Sequence, residues 1–276
     1  MPELPEVETI VRDLEPELQG RTIVAADVRS ERSLAGHTAE EFARGVLGQR
    51  IGEVRRRAKY ILVHFENGEY LVVHLAMTGG LMVRTELDPN DRHLRIAFRL
   101  DDGKWLLFRD LRRFGRLRLL GAEGVRSLDE RLGPEPLDAQ FTWAELHARL
   151  AIRRLPVKAA LLNQALLAGL GNIYADEALF RAMINPQRPA NSLNKAETVR
   201  LHAAIIAVLR EAIEGRGTSF SDYRDGHGRR GKHLEALRVY RRTGLPCSRC
   251  GEPIQRLVIG GRSTHFCPRC QPRIVG

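Results

Sequence analysis

The N-terminus reads Met-Pro-Glu-Leu-Pro-Glu-Val-Glu, and its residue types suit covalent chemistry. Proline is small enough at the second position for methionine aminopeptidase to remove Met1, which leaves Pro2 with a secondary α-amine. Such an amine titrates near ~8, against ~10.4 for a lysine, so far more of it is free base at neutral pH. It attacks a carbonyl-like carbon and gives a charged iminium, an electron sink that acidifies an adjacent C–H. Glu3 and Glu6 lie three apart at the start of an expected helix and face about the same way. One carboxyl there suits a proton donor to a leaving or ring oxygen, and the other suits a holder of the amine. The same acids would equally complement a helix dipole, and local chemistry alone leaves both readings open.

A second reactive group closes the chain. Cys247 and Cys250 form one pair, Cys267 and Cys270 another, with sixteen residues between the pairs. Two such pairs at this separation point to one tetrahedral zinc held by four thiolates. Four protein ligands leave no open position, so this zinc is expected to be structural. Redox dithiols are the alternative reading. Between the pairs, residues 252–259 and 262–266 alternate like strands around Gly260-Gly261, and Arg262 falls at the hairpin tip.

These groups need a scaffold. The 276 residues suffice for one large domain or two ordinary ones, and 43% apolar with 28% charged residues excludes a disordered or collagen-like chain. The longest helical apolar run, Ala203–Leu209, is far short of the ~20 residues of a membrane span. The acidic start lacks the features of a signal peptide, so a soluble, intracellular protein is expected. The formal charge is +10, from 44 basic and 34 acidic residues, and only five of the basic residues are lysines. That surplus suggests a polyanionic partner, most commonly nucleic acid, with arginine-rich composition bias as the bland alternative.

The expected class is α+β and multidomain. A helix is predicted over 3–19, ending or bending near Pro16. Strands follow over 22–28, 51–55, 60–65, 70–75, 81–84, 94–100, 105–108 and 116–120, with one short helix at 39–47. Short strands with tight turns predict a β-sandwich or barrel. Residues 132–140 read as a linker, and helices are predicted over 142–151, 156–164, 173–182 and 195–214. The expected division is therefore an N-terminal β domain over 1–131, a helical domain over 141–237 with a polar glycine-rich loop at 217–233, and the cysteine module over 238–276.

Six motifs in order make the pattern specific: Pro2-Glu-Leu-Pro-Glu-Val-Glu-Thr9, Arg57-Ala-Lys-Tyr60, His74-Leu-Ala-Met-Thr-Gly79, Asp110-Leu-Arg-Arg-Phe-Gly115, Gly171-Asn-Ile-Tyr-Ala-Asp-Glu177 and the four cysteines. Together they resemble the bacterial formamidopyrimidine-DNA glycosylase family across residues 2–270. The resemblance implies a β-sandwich capped by a helix, a helix–two-turn–helix domain and a zinc-finger hairpin. It implies removal of oxidised purines such as 8-oxoguanine opposite cytosine, followed by β,δ-elimination, in base-excision repair. By position, Pro2 is then the Schiff-base nucleophile, Glu3 the proton donor and Glu6 its support. Lys59 is the implied proton donor for β-elimination and Arg262 for δ-elimination. Met77, His93, Arg112, Phe114, Lys158, Asn172, Tyr240 and Arg262 are implied DNA contacts. The partner is damaged double-stranded DNA, with no membrane and no organic cofactor. A monomer in the bacterial cytoplasm, associated with the nucleoid, is expected.

Rival readings remain at the level of sequence. Without the resemblance, Met77 and Phe114 read as ordinary core residues and Asn172 as a helix cap. Ser221 stands where many relatives carry lysine, which bears on lesion preference. The sister endonuclease VIII family, which removes oxidised pyrimidines, shares the proline, glutamate and zinc. A catalytically silent DNA-binding protein would explain the charge and the finger, as would a zinc-ribbon RNA-binding protein, but neither needs Pro2 and Glu3.

Overall fold

The computed structural model describes residues 1–220 and 223–273, so Ser221 lies outside the described residues. Two compact units emerge, one built from Met1–Glu130 with Ile213–Leu234, the other from Arg131–Ala212 with the chain from Glu235 onward.

The first unit is a β-sandwich with a helix against its core. Helix α1, Leu4–Leu18, is followed by strand β1, Ile23–Val28, helix α2, Ala39–Val46, and strands β2, Ile51–Arg57, β3, Tyr60–Phe65, and β4, Tyr70–His74. Strands β5, Gly79–Arg84, β6, Leu94–Leu100, β7, Trp105–Asp110, and β8, Arg116–Leu120, complete it, with helix α3, Ala122–Glu130, after them. One antiparallel sheet runs in the order β1-β6-β7-β5 and the other β2-β3-β4-β8. Period-two alternation sends Ile61, Val63 and Phe65 of β3 inward to meet Ile96 and Phe98 of β6. Val7, Ile10, Leu14 and Leu18, spaced for one helical face, join α1 to the same core.

Pro16 neither ends nor breaks α1, which continues through Leu18. Leu18 is fully buried in the core, and its packing holds the last turn despite the missing amide donor. Helix α3 was not anticipated. Its only apolar residues of size, Val125 and Leu128, leave a weak periodic signal, and none of its residues is fully buried.

The second unit contains helices α4, Trp143–Ala151, α5, Val157–Leu161, α6, Asn172–Ala182, and most of α7, Lys195–Glu214. It closes with the hairpin of β9, Gln255–Ile259, and β10, Arg262–Phe266. Helix α5 stops short of the expected Gln164 because that side chain bonds the backbone instead. Its amide donates to the Leu162 and Leu170 carbonyls, and its oxygen accepts from the Gly169 N–H, shaping the turn into α6.

The segment 217–233 departs from the expected domain division, since it clusters with the β-sandwich. The reason is polar anchoring on α1. Arg216 donates to Asp13 Oδ2 at 2.6 Å, and the Gly226 N–H donates to the same oxygen at 3.1 Å. The Gly226 carbonyl accepts from the Val83 N–H of β5. Among the described residues, no helix is long and apolar enough to cross a membrane.

Phe98 is fully buried between the sheets, so Phe98→Ala is expected to lower the stability of the first unit by about 3–5 kcal/mol in urea denaturation. A change under about 1 kcal/mol would mean that this shared core does not hold the sheets together.

Candidate active site and zinc module

The N-terminal residues lie at the start of α1, with Glu3 as its N-cap and Pro5 in the first turn. Pro2 is buried, Glu3 is 2% exposed and Glu6 is 1% exposed. The Glu6 carboxylate is the organising group. One oxygen accepts the Glu3 N–H at 2.8 Å, and the other accepts the Thr218 N–H at 2.8 Å. Glu6 thereby ties the chain just after Pro2 to the returning segment of the same unit. Gly217 sits at φ +78°, and a Cβ there would come within 3.0 Å of Glu6 Oε1, so both its conformation and its space require glycine. The Tyr223 hydroxyl donates to the Glu6 carbonyl at 3.3 Å. Burial and the Glu6 charge push that phenol well above its usual range, so it stays protonated.

Met1 is 42% exposed and precedes this buried start.

Lys59 lies in the two-residue turn between β2 and β3, next to Ala58 at φ +52°, and is 8% exposed. Arg56 ties this turn to α1, donating to the Ala58 carbonyl at 3.1 Å and to Glu8 at 2.9 Å. Burial, then the charges of Lys59 and Arg118, hold His74 below its ordinary value, so it is neutral at pH 7.

Met77 and Phe114 are exposed, at 36% and 44%, which removes the core-packing reading. They occupy the β4–β5 and β7–β8 loops, and one buried carboxylate organises both. Asp110 Oδ1 accepts the Thr78 hydroxyl at 2.5 Å and the Arg112 N–H at 3.1 Å, while Oδ2 accepts the Gly115 N–H at 2.7 Å. The Arg112 guanidinium lies 4.8 Å from the Phe114 ring centre. His93 lines a shallow cleft beside Thr78, Met82 and Asp110, and its carbonyl accepts the Asp110 N–H.

In the second unit, Lys158 is fully buried. Its ammonium contacts Asp176 at 2.6 Å and the Ser263 carbonyl at 2.7 Å. The expected phosphate contact meets a side chain with no exposed surface, and what Lys158 does here is seat the hairpin on the helices. Asn172 donates to the same Ser263 carbonyl at 3.0 Å and is not the helix cap, a place taken by Gly171. Asp176 also accepts the His265 N–H. Glu177 accepts the N–H groups of Arg238, Val239 and Tyr240, although burial pushes its carboxyl above the usual range. The Tyr240 ring packs edge-on to His265 at 5.0 Å.

The four cysteine sulfurs lie within 4.8 Å of one another, with Cys247–Cys270 at 3.9 Å and Cys250–Cys267 at 3.4 Å. A tetrahedron with Zn–S bonds of ~2.3 Å has edges of about 3.8 Å, so these thiols fit one structural zinc. Gly260 and Gly261 both have positive φ, as the tight turn between β9 and β10 demands, and Arg262 follows with its side chain exposed.

Motif membership drew attention to Asp110, Asp176 and Glu177, but their roles as anchors of loops and hairpin were missed. A buried carboxylate answering several N–H groups leaves no mark in the sequence until the chain is folded.

Two outcomes follow. Burial pulls the Glu8 carboxyl up, but Arg56 and Arg12 outweigh it and hold it below its ordinary value. A lowered native value adds stability above about pH 4.5 that is lost as pH falls through the native value. Glu8→Gln is therefore expected to flatten the acid limb of stability against pH in urea titrations, and an unchanged limb would refute it. Removing zinc with a chelator is expected to raise hydrogen exchange across β9 and β10. Exchange unaffected by metal loss would show that the hairpin does not depend on it.

Comparison with known proteins bears on this arrangement. Family models match as "Formamidopyrimidine-DNA glycosylase N-terminal domain" over residues 1–117, "Formamidopyrimidine-DNA glycosylase H2TH domain" over 132–223, and "Zinc finger found in FPG and IleRS" over 244–273. The formamidopyrimidine-DNA glycosylase of Herpetosiphon aurantiacus is 49% identical, covering 98% of this chain and all of its own. That of Chloroflexus aurantiacus is 47% identical, covering 98% of each. The crystal structure of the MutM (Fpg) protein of Thermus thermophilus aligns at TM-score 0.87 with 45% identity, covering 98% of each chain. Lactococcus lactis Fpg, in complex with DNA containing an abasic site, aligns at 0.91 with 35% identity, covering 98% of this chain and all of its own. With whole-length relatives near half identity and three family models in register, the chain belongs to the formamidopyrimidine-DNA glycosylase family.

Proposed function

We propose that this protein is a base-excision-repair DNA glycosylase with lyase activity, acting on oxidised purines such as 8-oxoguanine opposite cytosine. The observation that carries this reading is the buried start of α1, where Glu6 fixes the backbone of Glu3 and the segment from Thr218 with one carboxylate. Such fixing orients a nucleophile and a proton donor at adjacent positions.

In this reading, Pro2 freed of Met1 attacks C1′ of a flipped nucleoside through its nitrogen lone pair. The C1′–base bond breaks and the base leaves with the proton that the Pro2 amine loses, while Glu3 hands a proton to the ring oxygen O4′. The sugar ring opens, leaving an iminium between Pro2 and C1′. Loss of a C2′ proton expels the 3′ phosphate, with Lys59 near the reaction as proton donor. A second elimination, assisted by Arg262, expels the 5′ phosphate and leaves a one-nucleotide gap.

A flipped base leaves a hole in the duplex. Exposed Met77 and Phe114 are suited to fill it, and Arg112 to bond the orphaned cytosine. His93, Asn172, Tyr240 and Arg262 are assigned to DNA contact. Lys158 contributes by seating the hairpin that carries Arg262. The sandwich unit thus supplies the chemistry, and the helical and zinc modules supply grip. Its place of action is the nucleoid of a bacterial cytoplasm, as a monomer.

Borohydride trapping on a duplex with 8-oxoguanine opposite cytosine tests this. A covalent adduct mapped to Pro2 by mass spectrometry is expected, and Glu3→Gln is expected to abolish base excision while DNA binding persists. An adduct on a lysine would overturn the nucleophile. Faster cutting of thymine glycol would overturn the purine preference.

A further inference from the structure

Outside the N-terminal site, the first unit carries a groove of about 380 Å³ between the outer face of the second sheet and α3. It exists because α3 packs loosely, with no residue fully buried. The floor is apolar: Leu62 of β3 with Val125 and Leu128 of α3. Leu62 pairs across the sheet with Arg55, whose guanidinium lies 5.8 Å from the Tyr70 ring centre. Of the four arginines in the lining, Arg56 is held by Glu8 and Arg57 by Asp129, which puts the weight of any further anion on Arg55 and Arg126.

The type of ligand follows from this lining. Arg55, stacked over Tyr70, and Arg126 of α3 give the rim the cations that suit carboxylates. A nucleic-acid backbone would use the arginines but has nothing to set against the apolar floor. A free nucleotide needs its base edges read, and the lining holds no Asn, Gln, Ser or Thr to read them. An acidic peptide with an apolar side chain satisfies both parts, its carboxylates on the arginines and its anchor on Leu62, Val125 and Leu128.

We propose that the groove between β2–β3 and α3 is a docking site for an acidic peptide segment of a partner protein, anchored by an apolar side chain. This surface would recruit a partner while the N-terminal residues carry out their own chemistry.

The test is fluorescence anisotropy with a labelled peptide of aspartates ending in leucine and phenylalanine, at ~0.1 M salt. Saturable binding is expected, weakened roughly tenfold or more by Arg126→Glu and by Val125→Asp, with melting curves showing both variants folded. Both variants should excise 8-oxoguanine at the wild-type rate. A peptide with glycines in place of leucine and phenylalanine should bind markedly more weakly. Absence of binding at millimolar peptide would overturn the proposal, as would binding indifferent to both substitutions or to the apolar residues. Loss of DNA binding in the variants would reassign the groove to the nucleic acid and overturn it too.

Discussion

A carboxylate has two oxygens, and in Glu6 each accepts one backbone N–H, from Glu3 and from Thr218. These donors are 215 residues apart in the chain, which makes this contact the point where the sandwich unit closes on itself. A buried carboxylate is costly unless its oxygens are answered, and here they are. Around it, Gly217 leaves the space that a side chain would occupy, and Asp13 with Arg216 secures the foot of the same segment. Without this contact the start of α1 would be an ordinary helix end, with acids complementing a dipole. With it, the first residues are held in one place by groups from distant parts of the sequence.

The same device recurs elsewhere. Asp110 answers two loops that each cross from one sheet to the other, so the exposed side chains Met77, Arg112 and Phe114 are presented on a shared base. Asp176 and Glu177 are consecutive on α6 and hold the hairpin and the approach to it. In each case the residue that is held or presented is not itself the anchor. The anchors are buried acids, which is why a chain with 44 basic residues still depends on a few of its 34 acidic ones.

Much of this was legible in the sequence. Alternation and turn glycines located the sandwich strands, and the two cysteine pairs located the metal module. The motif Pro2 to Thr9 marked the residues that the fold buries at the start of α1. What escaped detection has a common cause. Helix α3 has two apolar residues of size and buries none fully, so its periodicity was too faint to read. The placement of 217–233 depends on contacts with Asp13 and Glu6, residues more than 200 positions away, and polar local composition carries no trace of them. Lys158 was read only as an implied DNA contact, and its burial against Asp176 and Ser263 has no local signal in the sequence.

Met1 is exposed while Pro2 is buried, and that boundary has a practical consequence. An extension at the N-terminus has a route to solvent and leaves the helix, the sheets and the zinc module able to form. It also keeps the proline nitrogen in an amide, without a lone pair to give. On the proposed role of Pro2, fusion of a purification tag upstream of Met1 would thus yield a well-folded protein that is chemically mute, and a protease cut leaving even one extra residue would not restore its voice. On that role, folding and reactivity would be separated by a single peptide bond.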